Sequence, residues 1–241
     1  FINASITEKI KGDKIDFDIN ISESEKIYIE KININGNFNT LEEVIRNNLI
    51  VDEGDPFNEI LFNKSINNIQ SLGIFKKVET KVQKGSQDRF KIIDLDVEER
   101  PTGEISVSAG FGTQGGSIGA GLKENNFLGK GINLNTNFEI TEDSLKGQFV
   151  YAKPNFNYSD NTLFTSLKSS TSDFLSTSGY KTSELGFSIG TRFEQFQNIY
   201  LSPELDFLIE DLETSSKASK TIKKQEGSYT DLYFNYSINQ D

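Results

Sequence analysis

Three stretches of this chain carry residue types at spacings that could do chemistry. Residues 110–115 spell GFGTQG, with Gly110, Gly112 and Gly115 in the G-x-G-x-x-G order that cradles a dinucleotide pyrophosphate. That chemistry needs the glycine loop to open a helix, whose N-terminus meets the phosphates. Here SIGAGLK follows, which alternates like a strand, so the glycines are expected to form a hairpin turn. Asp52, Glu53 and Asp55 fall within DEGD, a concentration of carboxylates that could suggest calcium. The run lacks the ligand spacing and terminal Glu of a calcium-binding loop. It reads as a charged loop between helices, with protein docking as the alternative. The basic stretch KASKTIKKQ at 217–225 could hold a polyanion such as a lipid head group, but reads as a solvated loop tip.

The rest of the composition narrows the chemistry further. Cys and His are both absent, so the common zinc sites lose their favoured ligands and no disulfide framework is available. Most acid–base and nucleophilic constellations are missing for the same reason. No catalytic residue, cofactor or metal site is expected. A net charge of -11 argues against a nucleic-acid partner, which requires a basic surface.

The elements that would position these stretches fall into two classes. From residue 104 onward the chain repeats segments in which apolar and polar side chains alternate. The clearest is GINLNTNFEI, with Ile132, Leu134, Phe138 and Ile140 on one face and Asn133, Asn135, Asn137 and Glu139 on the other. Eight strands are predicted: 104–112, 117–124, 132–141, 145–153, 162–170, 184–193, 200–211 and 229–238. Their apolar faces are nearly free of charge, as at Ile105, Val107, Ala109 and Phe111, or Leu185, Phe187, Ile189 and Phe193. Such strands suit a transmembrane β-barrel, whose polar inner face hides the membrane signal from mean hydropathy. A soluble antiparallel sandwich alternates in the same way. Long links at 173–183 and 212–228, against shorter ones at 155–161 and 197–199, suggest external loops and periplasmic turns respectively.

Before residue 101 the pattern is mixed. Residues 1–7 and 14–21 read as two extended segments joined by a turn at 11–13, the end of a preceding domain over 1–26. Residues 27–100 read as strand, helix, helix, strand, strand, an α+β unit with two helices on one face of a sheet. Thr40 and Glu43 have the spacing of a capping box, followed by Leu41, Val44, Ile45 and Leu49 at helical spacing. A second helix is predicted over 58–72 with a stripe of Leu61, Phe62, Ile66 and Ile69, stopped by Gly73. Strands at 75–83 and 89–98 complete the unit. The chain begins and ends within strands, so it is expected to belong to something longer.

Four motifs stand in order across the change from α+β to all-strand: GNFNTLEEVIRNNLIVDEGDPFN, NNIQSLGIFKKVE, DLDVEERPTGEISVSAGFGTQGG and ENNFLGKG. Together they resemble the BamA family of outer-membrane insertases, over essentially the whole chain. The resemblance implies a barrel-proximal POTRA domain at 27–100, the end of another at 1–26, and the first half of a transmembrane barrel from 101 to 241. It implies a function in assembling outer-membrane β-barrel proteins, and a location in the outer membrane with the POTRA part in the periplasm. In that family the first barrel strand meets the last in a weak seam. The strand here would be Glu104, Ile105, Ser106, Val107, Ser108, Ala109, Gly110, Phe111 and Gly112. The acidic loop of Asp52, Glu53 and Asp55 resembles a docking point for an accessory lipoprotein. Unfolded outer-membrane proteins, periplasmic lipoproteins and outer-membrane lipid are the implied partners. A two-partner-secretion pore of the same layout is the alternative.

Overall fold

A computed structural model describes residues 2–12, 14–23, 25–112 and 115–240. The chain divides into two compact units. The first comprises Phe1–Asn37, Asn48–Ser71 and Phe75–Glu99, and the second Phe38–Asn47, Leu72–Ile74 and Arg100–Asp241.

The first unit opens with an antiparallel hairpin of β1 (Ile2–Lys11) and β2 (Lys14–Glu23). Both strands run longer than alternation alone suggests; Phe1 and Asp13, which belong to the predicted segment and turn, lie outside the described residues. A three-stranded sheet follows, ordered β3 (Tyr28–Asn35), β5 (Phe90–Glu99), β4 (Phe75–Lys84). β3 and β5 are parallel, and β4 and β5 form an antiparallel hairpin. The core of Ile29, Ile32, Val51, Phe62 and Ile93 is buried, with Ile34, Leu49, Phe57 and Ile66 packed around it. Helix α2 (Glu59–Ser71) supplies Phe62 and Ile69, and its first turn is capped by Asn58, whose Oδ1 accepts from the amides of Ile60 and Leu61. Ser65 also belongs to its buried stripe. Its hydroxyl donates to Leu61 O and accepts from Ile50 N, so a polar residue sits in the core with its bonds made. Leu61 lies at the exposed margin instead.

Helix α1 (Glu42–Arg46) is only five residues long, and Leu49 packs from beyond its end. The capping box does not form. The N-cap is Leu41, whose side chain has no acceptor to offer, and the preceding Thr40 hydroxyl accepts from Asn126 Nδ2.

The second unit is dominated by one antiparallel sheet of eight strands in chain order: β6 (Gly103–Gly112), β7 (Gly115–Phe127), β8 (Ile132–Thr141), β9 (Ser144–Lys153), β10 (Thr162–Phe174), β11 (Tyr180–Phe196), β12 (Ile199–Thr214) and β13 (Gly227–Gln240). The glycine motif is a hairpin, with Gly112 opposite Gly115 and Gly115 at φ +95°; its Thr113 and Gln114 lie outside the described residues. Register sets side chains in rows. Thr136, Phe149, Leu167, Phe187, Phe207 and Leu232 stand opposite one another across six strands. Most of this apolar face is open, as with Val107 at 77 % and Phe187 at 46 % exposure. A sandwich would bury that face under a second sheet, and among the described residues no sheet packs on it.

The expected rhythm of loop lengths does not hold. The links at 175–179 and 215–226 are shorter than predicted because β10 to β13 run past the apolar belt. Asp173, Lys181 and Glu213 lie in register there, on the face that carries Leu167 and Phe187 lower down. Their charges made strand look like loop. Link length therefore carries no orientation for this chain, and 154–161 is longer than 175–179.

Candidate functional site

The two predicted sites are built differently. Asp52, Glu53 and Asp55 do come together, in one tight exposed turn. Asp55 Oδ2 accepts from Asp52 N at 2.9 Å, Asp52 Oδ1 from Glu53 N at 2.7 Å, and Glu53 Oε1 from Ile32 N at 3.0 Å. Backbone bonds fix the turn further: Gly54 N donates to Ile29 O, Ile29 N to Asp55 O, and Phe57 N to Ile27 O. Tyr28 and Pro56 form a bridge alongside. The acidic loop thus covers the outer edge of β3, and Glu53 caps a β3 amide rather than only facing water. Among the described residues no group of carboxylates is arranged to hold a metal ion.

With β3 covered, the open edge of this sheet is β4. Among the described residues its outer side has no strand partner, and most of its side chains are exposed. It carries Lys76, Lys77, Lys81 and Lys84, and lysine on an edge is a common guard against unwanted pairing. Lys76 Nζ donates to Glu98 Oε1 at 2.8 Å, which holds the Glu98 carboxyl below its ordinary range. The Glu79 carboxylate beside Lys77 raises that ammonium in turn.

β6, the predicted seam strand, pairs with β7 along its whole length, from Gly103 opposite Glu124 to Gly112 opposite Gly115. Its other side has no partner among the described residues, and all ten of its residues are exposed. Glu104, Ser106, Ser108 and Gly110 share one face; Ile105, Val107, Ala109 and Phe111 share the other. The polar face meets Ser117, Gly119 and Gly121 of β7, so little side-chain packing reinforces the backbone ladder there. A Cβ at Gly119 or Gly121 would come within 2.6 Å of the Ser108 or Ser106 hydroxyl. The root of the strand is tied down: Arg100 donates from N to Ile74 O and from Nε to Gly73 O.

Sequence reasoning missed two groups. The first joins the segment 38–47 to the strand turns of the same unit. Asn126 Nδ2 donates to Thr40 Oγ1, Asn126 Oδ1 accepts from Gly131 N, Leu41 N donates to Gly129 O, and Asn155 Nδ2 donates to Asn47 O. Gly129, at φ +71°, is the close approach, since a Cβ there would meet Asn39 O at 2.0 Å. The motifs GNFNT and NNFLGKG mark both partners as turns, but nothing in either says that they meet. The second group is on the polar face of the sheet. Lys168 reaches across Gly186 to Asp206 Oδ2 at 3.1 Å, and a Cβ at Gly186 would lie 2.3 Å from Lys168 Cε.

Comparison with known proteins adds to this geometry. Residues 27–100 match the family model POTRA, surface antigen variable number repeat. Outer membrane protein assembly factor BamA of Neisseria meningitidis is 28 % identical over 145 residues, which is 59 % of this chain and 18 % of that protein. BamA of Neorickettsia risticii is 32 % identical over 117 residues, 48 % of this chain and 16 % of that protein. The crystal structure of Haemophilus ducreyi BamA lacking POTRA domains 1–3 superposes with a TM-score of 0.72 at 21 % identity, covering 99 % of this chain and 48 % of that one. CdiB from Escherichia coli gives 0.64 at 13 % identity, covering 100 % and 46 %. The chain thus spans about half of the solved chains it superposes on, and its matches cover under a fifth of the curated relatives. Its place is the outer membrane, with the POTRA part in the periplasm. An α+β POTRA domain followed by the N-terminal half of an antiparallel barrel, the chain resembles the BamA outer-membrane assembly factors in sequence and in fold.

Proposed function

We propose that this chain serves to assemble β-barrel proteins into the outer membrane, with β6 as the strand that templates an incoming client. The observation that carries the reading is the Ser- and Gly-lined pairing of β6, where Ser106, Ser108 and Gly110 stand opposite Gly121, Gly119 and Ser117, directly after the POTRA domain. An unpaired strand edge offers a row of N–H and C=O groups to another chain. Inside a bilayer those groups have no water to bond, so pairing with a client strand is strongly favoured. The sparse packing of β6 on its polar face would let a seam with another strand open and reclose. Unfolded outer-membrane proteins would first add to the POTRA sheet by backbone bonding, and β4 is the edge available for it. Asp52, Glu53 and Asp55 form the surface on which a periplasmic accessory lipoprotein would dock, and the apolar face of the sheet meets outer-membrane lipid. Residues 1–26 would close a preceding POTRA domain. None of these steps calls for a cofactor or a covalent reaction.

The likeness to CdiB supports a second reading, a POTRA–barrel pore that passes one client through its lumen. One experiment separates the two. In the full-length protein, Ser106→Cys or Ser108→Cys is crosslinked to a cysteine on the strand facing β6 across the seam. Locking the seam should stop insertion of outer-membrane proteins, and reduction should restore it. Normal insertion by the locked form would end the seam mechanism, while lumenal passage unaffected by the lock would favour the pore.

A further inference from the structure

We infer that Phe38 and Leu128 form an interfacial foot that dips into the periplasmic leaflet beside the barrel. The inference rests on the outer-membrane barrel reading and extends its lipid contact to a segment outside the strands. Phe38 is 93 % exposed and Leu128 69 %, with Leu41 and Phe127 also open beside them. Scattered exposed apolar residues are ordinary, but these four are gathered on two backbones that touch. Leu41 N bonds to Gly129 O, and Asn39 O lies against Gly129, so Phe38 and Leu128 flank one junction.

The junction is built to hold this orientation. Leu128 has φ +57°, a left-handed backbone that a branched side chain seldom adopts. Gly129 N to Asn126 O and Lys130 N to Phe127 O close the turn, and Asn126 ties it to Thr40. The strained leucine therefore projects from a fixed turn rather than a floppy one.

Its level along the sheet identifies the occupant. From Ile140 to Ile132, β8 runs about 26 Å of strand, or about 20 Å along the membrane normal once tilted. Phe138 and Ile140 are open, while Leu134 and Ile132 at the lower end are covered by the protein itself. The apolar band of such barrels is about 25 Å tall and bordered by aromatic girdles. Phe127 stands opposite Ile132 at the end of that band, and Leu128 is the next residue. Exposed apolar surface thus resumes at Phe127, Leu128 and Phe38, just past that covered end and at the level of the interface, where Phe38 takes the place of a girdle aromatic. Lys130, exposed in the same turn, is placed to reach head-group phosphates.

The test uses the full-length protein reconstituted into phosphatidylethanolamine–phosphatidylglycerol vesicles. A polarity-sensitive fluorophore is attached in turn to Phe38→Cys, Leu128→Cys, Val107→Cys and Glu42→Cys, and quenched by lipids spin-labelled near the head group. Positions 38 and 128 should be blue-shifted and quenched several-fold more than 42. Position 107 reports the barrel itself. Quenching at 107 without quenching at 38 and 128 would overturn the foot alone; no quenching at any of the three would overturn the barrel reading as well. A blue shift at 38 that lipid cannot quench, and that needs an added periplasmic protein, would also overturn it.

Discussion

At the scale of single residues, the two most informative side chains are both charged and both bonded. Glu53 combines an exposed position with a bond from its carboxylate to the Ile32 amide. Docking and local stability are therefore entangled at this residue, and charge reversal alone cannot separate them. Glu53→Gln keeps an acceptor for Ile32 N and removes only the charge. Loss of lipoprotein recovery in pull-down with both Gln and Lys variants, with thermal unfolding unchanged for Gln, is the expected result. The Lys variant should also lose about 1 kcal/mol of stability with its hydrogen bond. Recovery unchanged in both would leave Glu53 a structural residue of the β3 edge. Lys168 is a simpler case. It is the partner of Asp206, whose other oxygen, Oδ1, is buried with no partner among the described residues. Lys168→Met should strand that carboxylate at a cost of about 1–3 kcal/mol. In the full-length protein this would lower the temperature at which the folded barrel loses its compact gel mobility. No change would mean that water serves Asp206 as well as the ammonium does.

The elements show what patterning can and cannot reveal. All eight barrel strands and every strand of the POTRA domain are legible in the sequence, because a half-buried or half-wetted sheet forces period-two alternation. Helix α2 is legible for the analogous reason, except at Leu61, which lies at the exposed margin, and at Ser65, where two hydrogen bonds make a polar residue behave as core. Helix α1 misleads. The Thr40–Glu43 spacing is that of a capping box, but the helix starts one residue later at Leu41, and Thr40 meets Asn126, a side chain distant in sequence. The acidic loop lies between the two helices, as DEGD implies, but its bonds to Ile29 and Ile32 leave no mark on that string. A prediction about the POTRA element follows from the same contacts. Residues 24–101 expressed alone keep the core of Ile29, Ile32, Phe62 and Ile93 but lose Asn126 and Gly129 as partners of 40 and 41. The piece should be soluble and unfold cooperatively with mixed helix and strand signal. A helix of five residues without its anchors is marginal, so amides 41–47 should exchange far faster than those of β3 and β5. A uniformly protected α1 would show that the anchors are dispensable, and an unfolded spectrum would place the domain boundary elsewhere.

For the whole molecule the question is which solvent each face of the large sheet meets. An apolar face this open would drive association in water, whereas in a bilayer it is the matched surface. The polar face, with Asn135, Asn137, Glu139, Lys168, Glu184 and Asp206, suits a hydrated lumen. The contrast can be read by placing the same charge on either side. Leu134 is a poor probe of lipid contact: only 9 % of it is exposed, so arginine there would disrupt packing in any solvent. Phe187 is nearly half open, in the middle of the row running from Phe149 to Leu232. Phe187→Arg should cost about 2–4 kcal/mol if that row lies near the bilayer midplane. In cells the full-length variant should fail to reach the heat-resistant folded form in the outer membrane. Asn135→Arg adds the same charge and more bulk to the opposite face, where water can solvate it. It should assemble at close to the normal level. Equal tolerance of the two would mean that the face carrying Phe187 does not meet lipid, and the outer-membrane reading of the sheet would have to be given up.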